Sequence, residues 1–347
     1  MIKAKLGILG GGQLGMFICQ AAKEFGITTT IFSQEKIFSA KKFCDNYIVG
    51  RYSNSKLLDK FIRSSDFFTI ETENIPKEIL RKIGKEKKIF PSSKIIEISQ
   101  NRIKEKKFIN SINGIKTVRY FLVNNYKDLV NGFNKLGGKA LLKSCQFGYD
   151  GKDQYLIKKS NINEFKKKKL ENFIIEEFLD FKKEISVIIS RTKKNMINYP
   201  PVENLHKNSI LKETLYPAVL DEKIKKNAIR IAKNIAINLE LIGILAIEMF
   251  VLKNNDILIN ELAPRPHNSG HWTLDCCKFS QYENLLFSIF KSKVKEPIPT
   301  KNCKMINLIG EDYKKIKKLK KEYKCYDYHK KEIRPKRKMG HYIIIKK

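Results

Sequence analysis

The sequence predicts a chain of mixed α/β and α+β class: a parallel α/β module first, antiparallel sheets in the middle, and a small β module at the C-terminus. Three observations predict it. Strand-like and helix-like stretches alternate over residues 4–70, as in a parallel sheet covered by helices. Residues 173–178 (FIIEEF), 184–190 (EISVIIS), 243–252 (GILAIEMFVL) and 256–262 (DILINEL) are apolar runs of strand length. Pro297 and Pro299 then precede a basic tail of short strand-like pieces. The expected modules are residues 1–99, 100–296 and 297–347.

In order, residues 4–9 read as a strand that runs into Gly10-Gly11-Gly12-Gln13-Leu14-Gly15 and an apolar-periodic helix over 14–25. Strands at 27–32 and 47–49, a helix at 56–63 and a strand at 67–70 follow. The pattern Gly10-x-Gly12-x-x-Gly15 fits a dinucleotide pyrophosphate, with Glu35 near the end of the second strand as ribose ligand; it fits a small phosphate or a tight turn equally well. Thr69-Ile70-Glu71-Thr72-Glu73-Asn74 ends the fourth strand, where open α/β sheets place ligands. A long polar helix is expected over 92–113, then a strand, a helix and a strand ending at Lys143. Residues 144–154 form a loop whose Gly148 and Gly151, with Lys152 beside them, make a candidate phosphate cover. The two runs at 173–178 and 184–190 are expected as antiparallel strands, and a helix at 222–239 leads into a hairpin.

That hairpin carries the chemistry. Lys253-Asn254-Asn255 is turn-forming, and with Asn254 and Asn255 as the two central residues Lys253 faces Asp256 and Glu248 faces Glu261. Opposed carboxylates repel, so a buried pair needs a proton or a cation between them. Oxygen-only ligands favour Mg²⁺, which takes its remaining ligands from water and phosphate. Directly after Asn260 and Glu261 the chain crowds Arg265, His267 and His271 together, a mixture that a plain surface loop does not need.

Composition narrows the classes further. A formal net charge of +33 attracts phosphate backbones, but the excess is lysine on helix-like stretches without interleaved aromatics, which argues against specific nucleic-acid recognition. Seven scattered cysteines without a CxxC spacing read as reduced thiols of a cytoplasmic protein. The longest apolar run, 241–252, is short and contains Glu248, so no membrane span is expected.

Taken together, LGILGGGQLGM, TIETENI, GYDGKDQ, EEFLDFKKEISVI, YPPVENLHKNSIL, AIEMF, NELAPRPHNSGHWTLD and RPKRKMGH resemble, in order and nearly end to end, the N5-carboxyaminoimidazole ribonucleotide synthetase family of the ATP-grasp superfamily. The resemblance implies an N-terminal α/β module, a central ATP-grasp module and a small C-terminal β module. It implies ATP-dependent carboxylation of the amine of 5-aminoimidazole ribonucleotide by bicarbonate through carboxyphosphate, with Mg²⁺ as metal and a homodimer as assembly. Carried over by motif, Arg102, Lys143, Gly148, Tyr149, Asp150, Gly151, Lys152, Asp153, Gln154, Glu176, Glu177, Phe178, Leu179, Glu184, His206, Asn260 and Glu261 are expected to bind ATP. Glu248 and Glu261 become the metal ligands. Tyr149, Asp150, Lys152, Arg265, His267, Lys330, Arg337 and Lys338 are expected to hold the ribonucleotide, with Asp150, Arg265 and His267 catalytic.

Two departures stand out. Asp153 replaces the last glycine of the usual GYDGKGQ, putting a negative charge near the ATP phosphates. Lys336 stands where RPGRK is common, adding a cation near the substrate phosphate.

Overall fold

The computed structural model describes residues 3–146 and 154–346. Strands β1 (Lys5–Leu9), β2 (Thr28–Ser33), β3 (Asn46–Val49), β4 (Phe67–Ile70) and β5 (Lys88–Phe90) form a parallel sheet in the order β3-β2-β1-β4-β5. Helices α1 (Gln13–Glu24), α2 (Ser55–Arg63) and α3 (Lys77–Glu86) lie between successive strands of it. The expected alternation is therefore correct to within a residue or two at each end. The single helix expected over 92–113 is instead two, α4 (Ser93–Ser99) and α5 (Arg102–Asn110). Asn101 causes the break: its side chain accepts the Ile103 and Lys104 N–H groups, both at 3.0 Å, and starts a new helix.

A four-stranded antiparallel sheet follows, ordered β6-β9-β7-β8, from β6 (Tyr120–Val123), β7 (Lys139–Ser144), β8 (Gln154–Lys158) and β9 (Phe173–Glu177), with α6 (Tyr126–Lys135) against it. Its core is Val123, Leu129, Phe133, Leu142, Ile157 and Ile175.

The large sheet begins with β10 (Phe181–Arg191), β11 (Met196–Asn198), β12 (Val202–Lys207) and β13 (Ile210–Tyr216). After helix α7 (Glu222–Asn238) come β14 (Gly243–Leu252) and β15 (Ile257–Ala263), then α8 (Thr273–Cys276) and α9 (Gln281–Phe290). The two runs expected as antiparallel strands are indeed strands, but β9 and β10 belong to different sheets, so the cleft between the sheets opens where the chain passes from one to the other. Helix α7 buries Ile224, Ala228, Ile231 and Ile235 against Ile185, Val187, Leu245 and Ile247.

The C-terminal segment does not stand apart as a separate sheet. Strand β16 (Cys303–Ile309) pairs with β13, and β18 (Lys338–Ile345) and β17 (Lys324–Asp327) continue outward, giving the order β15-β14-β10-β12-β13-β16-β18-β17.

The three parts meet at a buried aromatic joint. His271 and His341 stack with centroids 4.7 Å apart, and Tyr326 stacks on the far face of His341 at 4.6 Å. Phe17 of α1 packs against His271, Tyr282, Tyr326, Tyr328 and His341. Each imidazole meets a tyrosine hydroxyl at 2.9 Å through Nδ1, Tyr282 for His271 and Tyr328 for His341. Among the described residues no helix is long and apolar enough to cross a membrane.

Candidate active site

A cavity of about 1340 Å³ lies among the three parts. Its wall takes Glu71 and Glu73 from the end of β4, Lys143 from β7, Glu184 from β10, His206 from β12, Glu248 from β14, and Asn260 and Glu261 from β15. Arg102, Gln154, Arg265, His267, Lys330, Arg337 and Lys338 complete it.

Glu248 and Glu261 do pair across the strands, but not through the expected tight turn. Leu252, not Lys253, bonds Asp256 (N to O, 2.9 Å), so the loop is three residues long and Asn255 takes φ 68°. The pairs Val251–Ile257, Phe250–Leu258 and Met249–Ile259 follow from it. That register, continued, would set Glu248 against Asn260 and turn Glu261 to the other face. A β-bulge between Glu248 and Met249 leaves Asn260 as the extra residue and restores Glu248 to Glu261. The loop and the bulge are each one residue longer than expected, and the two offsets cancel.

Burial, and next the charge of Glu261, push the Glu248 carboxyl up to about 7. Asn260 Nδ2 donates to Glu248 Oε2 at 3.2 Å, and Arg102 Nη1 lies 3.5 Å from Glu261 Oε2. His267 Nδ1 accepts the Ser269 backbone N–H at 3.3 Å, so its neutral ring carries the proton on Nε2, which faces Glu248 Oε1 at 3.5 Å. Burial, and then Arg265, keep that imidazole well below its ordinary pKa and hence neutral. The largely buried Glu248 with its raised carboxyl, the partly exposed Glu261 opposite it and the Asn260 amide are a donor set that suits a hard divalent cation.

Behind this pair sits Glu105 of α5, whose Oε1 accepts the Leu262 N–H at 2.7 Å on the outer edge of β15. Burial, followed by the Glu261 charge, raises its carboxyl to about 8. Glu176, which shares the charge of Arg102 with Glu261, is buried between Lys143 (2.7 Å) and Lys106 (3.1 Å). Burial alone would raise the Glu176 carboxyl, but Lys106, Lys143 and Arg102 outweigh it and hold it far below the carboxylate range.

At the end of β4, Glu73 grips Arg265 through both carboxylate oxygens. Burial opposes ionisation of Glu73, yet the Arg265 charge and hydrogen bonds leave its carboxyl below the ordinary value. Glu71 explains the glycine loop: it accepts the Gly12 N–H at 2.9 Å and the Gly15 N–H at 3.4 Å. A Cβ on Gly10 or Gly12 would come within 2.6 Å of Glu71 atoms. The loop thus folds around a carboxylate of its own chain, the tight-turn reading of the glycine pattern.

Of the expected site residues, Gly148, Tyr149, Asp150, Gly151, Lys152 and Asp153 lie outside the described residues. Glu184 pairs with His206 through Oε2 and Nδ1. Glu176, Glu177, Phe178 and Leu179 are not on the cavity wall. Glu176 turns its carboxylate to the two lysines, Glu177 forms a two-point pair with Arg119 (2.8 and 2.9 Å), and Lys139 covers the Phe178 ring at 3.7 Å. Lys330 donates to the Lys338 carbonyl at 2.7 Å, bracing the C-terminal cations.

Glu73, Glu105 and Lys106 were not singled out from sequence. Glu73 lay within a noted strand-end motif. Glu105 and Lys106 carried no signal, because a charged pair in a polar helix looks the same whether it faces water or the core.

Residues 3–100 match the ribonucleotide synthetase preATP-grasp domain, 109–282 the ATP-grasp domain, and 303–347 the phosphoribosylaminoimidazole carboxylase C-terminal domain. The chain is 36% identical over 349 residues to N5-carboxyaminoimidazole ribonucleotide synthase of Bacillus subtilis (strain 168), covering 99% of this chain and 92% of that one. Its fold superposes on a crystal structure of N5-carboxyaminoimidazole ribonucleotide synthetase as an ADP complex with a TM-score of 0.94, at 35% identity, covering 100% and 93% of the two chains. The Aspergillus clavatus synthase in complex with ADP and 5-aminoimidazole ribonucleotide gives 0.91 at 26% identity, with 99% and 94% covered.

Proposed function

Because the chain belongs to the N5-carboxyaminoimidazole ribonucleotide synthetase family of ATP-grasp ligases, we propose that its cavity binds Mg-ATP over Glu248 and Glu261 and carboxylates 5-aminoimidazole ribonucleotide with bicarbonate. The observation that carries this is the facing Glu248–Glu261 pair on the wall of a cavity that Lys143, Arg102 and the C-terminal cations also line. The module boundaries near residues 99 and 296, a Mg²⁺ ion, and a homodimer belong to the same proposal.

Glu248 and Glu261 would hold the metal, which when bound draws charge from the ATP phosphates. Lys143 and Arg102 supply fixed positive charge for those phosphates, and the family motif assigns Gly148, Gly151, Asp153 and Gln154 to the same ligand. Glu184 and His206, on the cavity wall, receive ribose, and the family motif assigns adenine to Glu176, Glu177, Phe178 and Leu179, which lie off that wall. On the other side Lys330, Arg337 and Lys338 clamp the ribonucleotide phosphate, a dianion suited to a guanidinium fork. The family motif assigns Tyr149 and Lys152 to the same ribonucleotide.

Between the two ligands, Arg265 and His267 hold bicarbonate. Arg265 is fixed by Glu73, and neutral His267 offers its Nε2 proton as a hydrogen bond without adding charge. A bicarbonate oxygen attacks the γ-phosphorus and ADP leaves. The ribonucleotide amine then attacks the carboxyphosphate carbon, phosphate leaves, and Asp150 takes the amine proton. The test is ADP release with ATP, Mg²⁺ and bicarbonate, with and without the ribonucleotide. Release that depends on the ribonucleotide supports the reading; release stimulated instead by formate or an amino acid overturns it.

A further inference from the structure

We propose that Lys336 is an additional phosphate-binding residue of this chain, reaching the phosphate monoester of the ribonucleotide from a backbone position that favours glycine. The proposal rests on the reading that the C-terminal cations hold that phosphate. Arg337 N donates to Arg334 O at 3.1 Å and closes the turn Arg334-Pro335-Lys336-Arg337. Pro335 takes the second position and Lys336 the third, with φ 64°, the pattern of a type II turn whose third position belongs to glycine or asparagine. The turn is tied down from below, since Gly310 N donates to Arg337 O at 2.9 Å and a Cβ on Gly310 would sit 3.3 Å from Arg334 O.

A lysine is thus held in the left-handed region by a turn that glycine would form more easily. Its side chain is exposed and lines the cavity beside Lys330, Arg337 and Lys338. Among the described residues its ammonium has no hydrogen bond or ion pair, whereas neighbouring Arg334 is bound to Glu332 at 2.7 Å. Of the non-glycine residues with positive φ, only Ser209 and Lys336 lie on the cavity wall among the described residues. Asn255, in the hairpin loop, is not on that wall. A flexible four-carbon arm with a compact charge suits a phosphate oxygen entering from the open side of the cleft.

Lys336→Gly removes the charge and the strain together; Lys336→Met removes the charge and keeps the strain. Both are expected to raise KM for the ribonucleotide about tenfold, the loss of one charge-assisted hydrogen bond. The effect should shrink with added salt and leave KM for Mg-ATP where it was. Only the glycine variant should gain melting temperature. Ribonucleotide KM within about twofold of the parent in both variants, against the tenfold expected from one such bond, overturns the proposal. Arg337→Met, measured alongside, separates the two readings: an Arg337 effect with silent Lys336 variants sinks Lys336 alone, and silence in all three sinks the phosphate clamp as well.

Discussion

Two buried polar regions of this molecule are built on opposite plans. Around Glu248 and Glu176 the groups are charged and incompletely matched, with carboxyls pushed up to about 7 at Glu248 and about 8 at Glu105. Around His271 and His341 the groups are neutral and stacked; each Nδ1 meets a tyrosine hydroxyl, and each Nε2 is buried without a hydrogen-bond partner among the described residues. Burying unmatched charge costs much free energy unless a ligand brings the opposite charge, whereas a neutral ring short of one hydrogen bond costs far less and can still fix modules together. The first region is therefore arranged to receive a ligand and the second to hold the frame around it.

The contrast breaks most visibly at the carboxylates. Glu261→Ala should lower turnover by about 10²–10³-fold, as expected when a preorganised electrostatic group is lost, with little change in melting temperature. Steady-state ADP release and thermal unfolding check the two halves, and a stability loss comparable to the loss of activity would deny the region its ligand-receiving character.

Next comes Lys106, which belongs to the charged region but never reaches the cavity. Lys106→Met leaves Glu176 with Lys143 and Arg102 only, and removal of a buried partner costs about 3–5 kcal/mol in general, here toward the lower end. Denaturant unfolding measures it. KM for Mg-ATP should rise as well, because Glu176 then neutralises Lys143 more fully.

The joint should respond to acid instead of ligand. Burial pulls the His341 pKa from 6.5 down to about 3 and His271 also lies well below 6.5. Both folded-state values are depressed, so the unfolded chain binds more protons below pH 6.5 and stability falls as pH drops from there toward 3. Linkage allows a slope of at most about 1.4 kcal/mol per pH unit for each imidazole. His341→Phe keeps the stack and should remove one proton's share of that slope in unfolding measured between pH 4 and 7. An unchanged slope would mean that His341 is not buried neutral.

The smallest effect is expected at Asp153, where Asp153→Gly should lower KM for ATP a few-fold, on the order of one screened surface charge. An unchanged KM would show that its carboxylate does not approach the phosphates.

Much of this was legible because apolar periodicity is local. The parallel alternation over residues 4–70, the hairpin strands and helix α7 were readable from runs of Ile, Leu and Val. The break at Asn101 had a readable signal, an asparagine able to cap, which the polar surroundings masked. The burial of Glu105 and Lys106 had none. Their helix pairs them with β15 and Glu176, partners distant in the chain, and no local pattern reports such a match.

The sequence by itself determined which carboxylates lie on the two hairpin strands and which family's motifs surround them, since residue type and runs of apolar residues suffice for that. The tertiary structure decided how they came to face one another: a three-residue loop shifts the register by one, and a bulge at Asn260 shifts it back. It likewise decided that the Glu71 carboxylate accepts N–H groups of the glycine loop, and that Lys336 takes a positive φ. The physical reason is common to all three. Backbone hydrogen bonds and close contacts between distant segments select among conformations that the local sequence leaves nearly equal in energy.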